Sequence, residues 1–413
     1  MVSSGKTYCI FSALYAPSVG GVEKYTQNLA YALADAGNEV VVMVAGAAGS
    51  KDFEEPRAGV TVVRLPGSGL LGGRFPVPKP GSLLRERLSY VRDKGIDYVV
   101  VNTRFYLHSL IGLKFARQLG VRPVLVEHGS AHLTMGGGAI DRIVAAYEHA
   151  VTRLVKRANP AVYAVSSAGC RWLRHFDIEA LGVLNNSIDA DLFRSMSSGR
   201  DFRGELGLGE STLLVSSIGR LVPEKGVTCI LEAARALRDA DVRFVLAGDG
   251  PLRAEVEGCG CPNVTYVGRL SEGDVSALLR SSDAFCLPSR SEGFSTSLLE
   301  CAACAAVPIV THVGGVDELI PDESYGRVIG GMDPALVAGA VRELAADREG
   351  LRRMAEKLQC RVDDEFSWQK TAGKVERACA QANGVDAGGA YSEGSTGACG
   401  GKPPAALNTD EGE

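Results

Sequence analysis

The sequence predicts an α/β protein in which two similar doubly wound units follow one another. Three observations carry that prediction. Continuous apolar runs such as NEVVVMVAG and VRFVLAGDG have the look of strands buried on both faces, the habit of parallel sheets. Segments with apolar residues at helical spacing alternate with those runs. The alternation occurs twice, on either side of the polar, glycine-rich join NNSIDADLFRSMSSGRDFRGELGLGE.

Along the first unit, CIFSAL (9–14) is a strand. The following VEKYTQNLAYALADAG places Val22, Tyr25, Leu29, Leu33 and Ala36 on one helical face and stops at Gly37. NEVVVMVAG is the next strand. The pattern continues through IDYVVVN (96–102), a helix over 107–119, RPVLVEHG (122–129), a helix over 139–158 and AVYAVSS (161–167). The second set opens near residue 211 with the strand STLLVSSIG and the helix PEKGVTCILEAARALRDA. VRFVLAGDG, NVTYVG, the helix DVSALLRSSD, AFCLPS, a helix after GFS and VPIVT complete it. The expected domains are 1–195 and 196–364, with a helix at about 365–382 packing back on the first. The segment 383–413, rich in Gly, Ala and Ser, lacks the apolar residues to fold and is expected to be disordered.

At 413 residues the chain exceeds one ordinary hydrophobic core. A net charge of -5 argues against nucleic acid as a partner. No apolar run approaches the roughly 18 residues of a membrane span, and the first apolar run reads as a strand rather than a signal peptide. A cytoplasmic protein is expected, with contact at the inner face of the membrane as an option. The 11 cysteines lack a regular framework and read as reduced thiols.

Several motifs are set aside. Cys301 and Cys304 form a C-x-x-C inside an apolar stretch and read as small core residues. Gly67 to Gly72 matches G-x-G-x-x-G, but three prolines follow where the fingerprint needs a helix, so a loop is expected. Asp189 and Asp191 lie in the join and are not read as a metal pair. The 6 histidines show no ligand spacing, and no metal site is expected.

What remains stands at the ends of second-unit strands, where such folds bind ligands. Gly219, Arg220 and Lys225 lie in SIGRLVPEKG, a strand-to-helix loop whose two cations can grip a diphosphate, Arg as a fork and Lys as a point charge. LAGDGPL offers glycines for close approach. In SRSEGFSTSLLE, Gly293, Phe294, Ser295 and Thr296 present amides at a helix N-terminus, while Glu292 and Glu300 can accept from hydroxyls at the two ends of an extended ligand.

In combination these elements resemble the family 4 retaining glycosyltransferases, of GT-B architecture, two Rossmann-like domains facing across a cleft. The resemblance spans roughly residues 8 to 382. It rests on GRLVPEKG, LAGDGPL and VGRLSEGDVSALLRSSDAFCLPSRSEGFSTSLLECAACAAVPIVTHVGGVDELI in the family's order. YAPSVGGVEKYTQNLAYALADAGNEVVVM matches its N-terminal glycine loop and helix, and AVYAVSSAGCRWL and NNSIDADLF its approach to the hinge. Asn186-Ser187 stands where the family usually has Asn-Gly.

The resemblance implies that Arg220 and Lys225 hold the donor diphosphate, that Glu292 binds the transferred sugar, and that Glu300 takes the ribose. It implies that the backbone at Gly293, Phe294 and Ser295 faces phosphate and sugar, and that Gly20 and Gly21 let the first domain close over them. His128 matches the histidine near the reacting sugar, and Arg269 and Leu270 the residues beside the base. The implied donor is a UDP- or GDP-sugar, with no cofactor or metal required. The implied acceptor is a sugar or lipid-linked hydroxyl in envelope glycan synthesis. Positive charge at the departing diphosphate is the main catalytic contribution expected, with domain closure excluding water. The mixed apolar and basic residues at 66–92 and at Arg153, Lys156 and Arg157 suit peripheral membrane contact. A nucleotide-sugar epimerase of the same architecture, a non-catalytic binding protein and a dinucleotide dehydrogenase are the alternatives.

Overall fold

A computed structural model describes residues 5–18, 20–46, 51–70, 75–133 and 138–385. Nearly all of the segment expected to be disordered therefore lies outside the described residues. In the first lobe the elements run β1 (Thr7–Ser12), α1 (Gly21–Asp35), β2 (Glu39–Ala45), β3 (Phe53–Arg57), β4 (Val60–Leu65), β5 (Gly67–Leu70), β6 (Phe75–Pro78), α2 (Ser82–Arg92), β7 (Tyr98–Asn102), α3 (Leu107–Leu119), β8 (Val124–Glu127), α4 (Ala139–Arg157), β9 (Ala161–Ala164) and α5 (Ser167–Leu173). The second lobe follows with α6 (Ala190–Ser195), α7 (Phe202–Glu205), β10 (Leu213–Ile218), α8 (Val227–Ala236), β11 (Val242–Ala247), α9 (Arg253–Glu257), β12 (Val264–Tyr266), α10 (Glu272–Ser281), β13 (Ala284–Leu287), α11 (Thr296–Ala303), β14 (Val307–Thr311), α12 (Val316–Leu319), β15 (Arg327–Ile329), α13 (Pro334–Ala346), α14 (Arg348–Glu365) and α15 (Trp368–Ala382).

Among the described residues the first sheet has the order β3-β4-β2-β1-β7-β8-β9 and the second β12-β11-β10-β13-β14-β15. Both are parallel apart from the β3–β4 edge pair. The continuous apolar runs are what this demands: in β1, Cys9, Ile10 and Phe11 are fully buried, and in β13 so are Ala284, Phe285 and Cys286, because helices cover both faces. Each sheet reverses its winding once, between β1 and β7 in the first and between β10 and β13 in the second. At such points the neighbouring loops diverge and leave a crevice at the carboxyl ends of the strands.

The last helix returns to the first lobe. Trp368 of α15 meets Tyr25 of α1 edge-on at 5.4 Å, Asn38 donates to Glu376 at 2.8 Å, and the Arg122 amide donates to Asn383 at 2.8 Å.

Four local expectations can be set against the structure. The glycine run at 67 is not a plain loop: β5 pairs antiparallel with β6, a ribbon that tolerates Pro76 and Pro78 because neither of its strands sits inside a sheet. The helix expected from Pro223 is broken into a single 3-10 turn and α8, since Gly226 adopts φ +72° where a side chain would run into the Pro288 carbonyl. Asp189 caps α6 through the Leu192 amide at 3.0 Å and Asp191 pairs with Arg194 at 2.6 Å, so both are occupied locally. Cys301 and Cys304 are buried, and burial pushes both thiols up, that of Cys304 to about 11.

Candidate functional site

The loops after β10 and β13 flank the second sheet's reversal, and their charged residues meet there. Lys225 Nζ forms an ion pair with Glu292 Oε1, with both side chains largely covered. The same carboxylate oxygen accepts from Ser289 Oγ at 2.8 Å. Two of the four charged residues singled out in the sequence are thus one unit before any ligand is considered.

The first lobe closes on this unit directly. Ser130, in the loop after β8, donates to the Glu292 carbonyl at 2.5 Å, and Ser166 at the end of β9 donates to the Gly293 carbonyl at 2.9 Å. Gly293 itself abuts the His128 carbonyl so closely that a Cβ would collide with it. Glycine at 293 is therefore a requirement of lobe contact. Phe294 is buried, and Ser295 caps α11 by accepting from the Leu298 amide at 3.4 Å.

Glu300 lies within α11 and faces the other lobe. Its partner is Lys24 of α1, at 3.8 Å, and Lys24 also reaches Glu272 at 2.8 Å. Burial raises the Glu300 carboxyl above its ordinary range and Lys24 opposes the rise. Gly20 is the N-cap of α1 and Gly21 its first residue, and the Lys24 amide donates to the Gly20 carbonyl at 3.1 Å. Sequence reasoning missed Lys24; its place four residues after Gly20 in GGVEKY was the available signal.

His128 stands at the end of β8, in edge contact with Tyr25 at 4.7 Å. Burial lowers its imidazole to about 3, so it is neutral at physiological pH. A hydrogen-bond chain assigns the tautomer. Thr26 donates to the Val22 carbonyl at 2.7 Å, Asn102 Nδ2 donates to Thr26 Oγ1 at 2.8 Å, and Asn102 Oδ1 then accepts from His128 Nε2 at 3.1 Å. Nδ1 is left with the lone pair.

Arg220 and Arg269 are exposed, and neither side chain has a hydrogen-bond or ion-pair partner among the described residues. Leu270 is half-buried against the core. Gly219 lies against Gly248, where a side chain would strike the Gly219 carbonyl. Beneath the His128 loop lies a network the sequence did not announce. Arg104, Glu127 and Glu148 are 1%, 0% and 1% exposed, with Arg104 bonded to Glu127 at 3.1 Å and to Glu148 at 2.8 Å. Glu127 also accepts from the Gly129 amide at 2.9 Å and Glu148 from that of Leu133 at 2.9 Å, which fixes the loop between them.

Two family models divide the chain: the one described as Glycosyltransferase Family 4 matches residues 19–192, and the one described as Glycosyl transferases group 1 matches residues 199–359. The chain belongs to the family 4 glycosyltransferases. This glycosyltransferase is 27% identical over 384 residues to a D-inositol 3-phosphate glycosyltransferase of Paenarthrobacter aurescens, covering 86% of the chain and 92% of the relative. It is 27% identical over 372 residues to a GDP-mannose-dependent alpha-(1-6)-phosphatidylinositol dimannoside mannosyltransferase of Mycobacterium tuberculosis, with 87% and 92% covered. Among solved structures, a glycosyltransferase from Rickettsia africae superposes with a TM-score of 0.71 at 15% identity, covering 92% of this chain and 99% of that one. Anabaena HepE in complex with UDP-glucose does so with a TM-score of 0.68 at 18% identity, with 91% and 99% covered. The structural likenesses establish the GT-B fold, and as a glycosyltransferase the chain is an enzyme that transfers a sugar. No helix among the described residues is long and apolar enough to cross a membrane.

Proposed function

We propose that the enzyme binds a UDP- or GDP-sugar between its lobes and transfers the sugar, with retention of anomeric configuration, to a hydroxyl of an envelope glycolipid or polysaccharide. The observation that carries this reading is the Lys225–Glu292 pair at the switch point of the second sheet, overlaid by the first lobe through Ser130 and Ser166. Lys225, assisted by the exposed Arg220, would trade its carboxylate for the diphosphate and stabilise the charge that grows as the leaving group departs. Glu292, released from Lys225, would accept from sugar hydroxyls. Glu300 would accept from the ribose, with Arg269 and Leu270 beside the base. The neutral His128 would offer Nδ1 as an acceptor to the reacting sugar. No carboxylate is assigned as a nucleophile. Both glutamates stand against lysines, where glycosidases instead set two carboxyl groups across the bond that breaks. The two domains would span 1–195 and 196–364, with α15 attached to the first.

Two relatives' names supply the donor and acceptor classes: GDP-mannose and phosphatidylinositol glycolipid in one, UDP-glucose in the other. Membrane approach is supported by α4. Ile140, Ile143 and Leu154 are exposed within one stripe of that helix, Ile143 at 68%, with Arg142, Arg153, Lys156 and Arg157 exposed alongside. A thermal-shift panel of UDP- and GDP-sugars identifies the donor, because a ligand that binds only the folded state raises the melting temperature. NMR of the product made from that donor then reads the anomeric configuration; an inverted product, or donor isomerised without an acceptor, overturns the proposal. Cosedimentation with anionic vesicles tests the α4 face.

A further inference from the structure

Three of the six histidines, which no spacing in the sequence connects, converge in space. His132 follows the β8 loop, His149 lies in α4, and His175 sits just after α5. One ring nitrogen of each falls within 4.8 Å of the other two. His132 Nε2 and His175 Nε2 are 3.3 Å apart. Two nitrogens bound to one tetrahedral zinc ion at about 2.0–2.1 Å stand about 3.3–3.4 Å apart, so this edge of the polyhedron is already formed. The two edges to His149 each need a closure of at most about 1.5 Å, within reach of a side-chain rotation of the partly exposed His149.

The surroundings are those a metal-ligating imidazole requires. His132 Nε2 faces His175 and is the ligand atom, while Nδ1 lies 3.4 Å from Glu148 Oε2 without a formed hydrogen bond, a carboxylate within reach of the ring's other nitrogen. Glu148 is itself held by Arg104 at 2.8 Å, so that carboxylate is fixed from behind. Trp172 stacks on His175 at 4.9 Å with a 7° interplanar angle and limits its rotation.

We propose that His132, His149 and His175 form a binding site for one divalent first-row ion of the zinc type, with a fourth position open to water. Imidazole nitrogen is a borderline donor that favours such ions over magnesium or calcium. The ion would tie the segment that carries Ser130, whose hydroxyl bonds the Glu292 carbonyl, to α4 and α5. It is a positioning site for the lobe contact, separate from the diphosphate chemistry, and it stands whether or not the donor assignment above holds.

The test uses the full chain, free of any histidine tag, dialysed against chelator and titrated with zinc or cobalt(II) alone. One equivalent should bind. Cobalt should give visible d–d absorption without a thiolate charge-transfer band and should quench tryptophan fluorescence through Trp172. A His149→Ala/His175→Ala variant should lose the binding while matching the metal-free parent in its circular dichroism and melting curve. No saturable binding by the parent overturns the proposal. So does a thiolate band, which would place the ion on cysteines such as Cys259, Cys261 or Cys360. Unchanged stoichiometry in the double variant overturns it as well.

Discussion

Replacing Glu292 by Gln separates the two duties assigned to the Lys225–Glu292 pair. The side chains retain 21% and 13% exposure, so the pair lies between a surface and a core interaction. Two unit charges about 4 Å apart at an effective dielectric of about 20 attract by about 4 kcal/mol before other terms. Desolvation and the ordering of two flexible side chains bring the net value of such a pair to about 1 kcal/mol. A diphosphate must break it to reach Lys225. In Glu292→Gln the lysine is free and a like charge facing the phosphates is gone, so a nucleoside diphosphate should bind about 5-fold more tightly, the equivalent of about 1 kcal/mol. Sugar transfer should move the other way. Loss of a charged acceptor that grips the sugar in the transition state should lower kcat by about 100-fold, or about 2.7 kcal/mol. Calorimetric titration of wild type and variant with UDP and GDP, beside steady-state rates, reads both quantities. Weaker diphosphate binding in step with kcat would refute the exchange of partners, and kcat within about threefold of wild type would remove Glu292 from the reaction.

Three further outcomes follow from the same geometry. Gly293→Ala should lower activity more than tenfold, with far-UV circular dichroism unchanged, because its methyl group meets the His128 carbonyl and holds the lobes apart; full activity would show the lobe contact to be dispensable. Glu148→Ala leaves Arg104 buried with half of its charge partners gone, and denaturant titration should show a loss of about 3–5 kcal/mol. His108, wholly buried with one ring nitrogen on the Met43 carbonyl at 2.9 Å, is held down at about 4 against an ordinary 6.5. Between those values the unfolded chain binds a proton that the folded chain refuses. Stability should therefore be complete above pH 6.5 and decline as pH falls through the window, by about 3 kcal/mol for this residue. His108→Gln should flatten the pH profile of the denaturant midpoint, and an unaltered slope would contradict the assignment.

The chain announces its sheets clearly. Runs such as VVVMV and YVVVN can be satisfied only between two layers of helix, and the helix at 107–119 falls on the same residues in both readings. Glu292 and Lys225 are visible because they lie in loops at strand ends, where polar residues stand out, and Glu300 because it lies about a turn into the helix that follows such a loop. Pairings across the lobes are not visible. Lys24 with Glu300 and Ser166 with Gly293 join residues far apart in the chain, and no local period links them. The Arg104–Glu127–Glu148 network is hidden for a related reason, since a charged residue in a short segment looks solvated until the fold encloses it. The break at Gly226 escapes because one glycine within a helical pattern carries no sign of the neighbouring strand end that it must avoid.

The most direct test of the account is a crystal structure of the enzyme with a nucleoside diphosphate or an unreactive nucleotide-sugar analogue. The diphosphate should lie between Arg220 and Lys225, with the Lys225–Glu292 contact broken and the ribose hydroxyls on Glu300. A nucleotide bound elsewhere, with that ion pair intact, would contradict it.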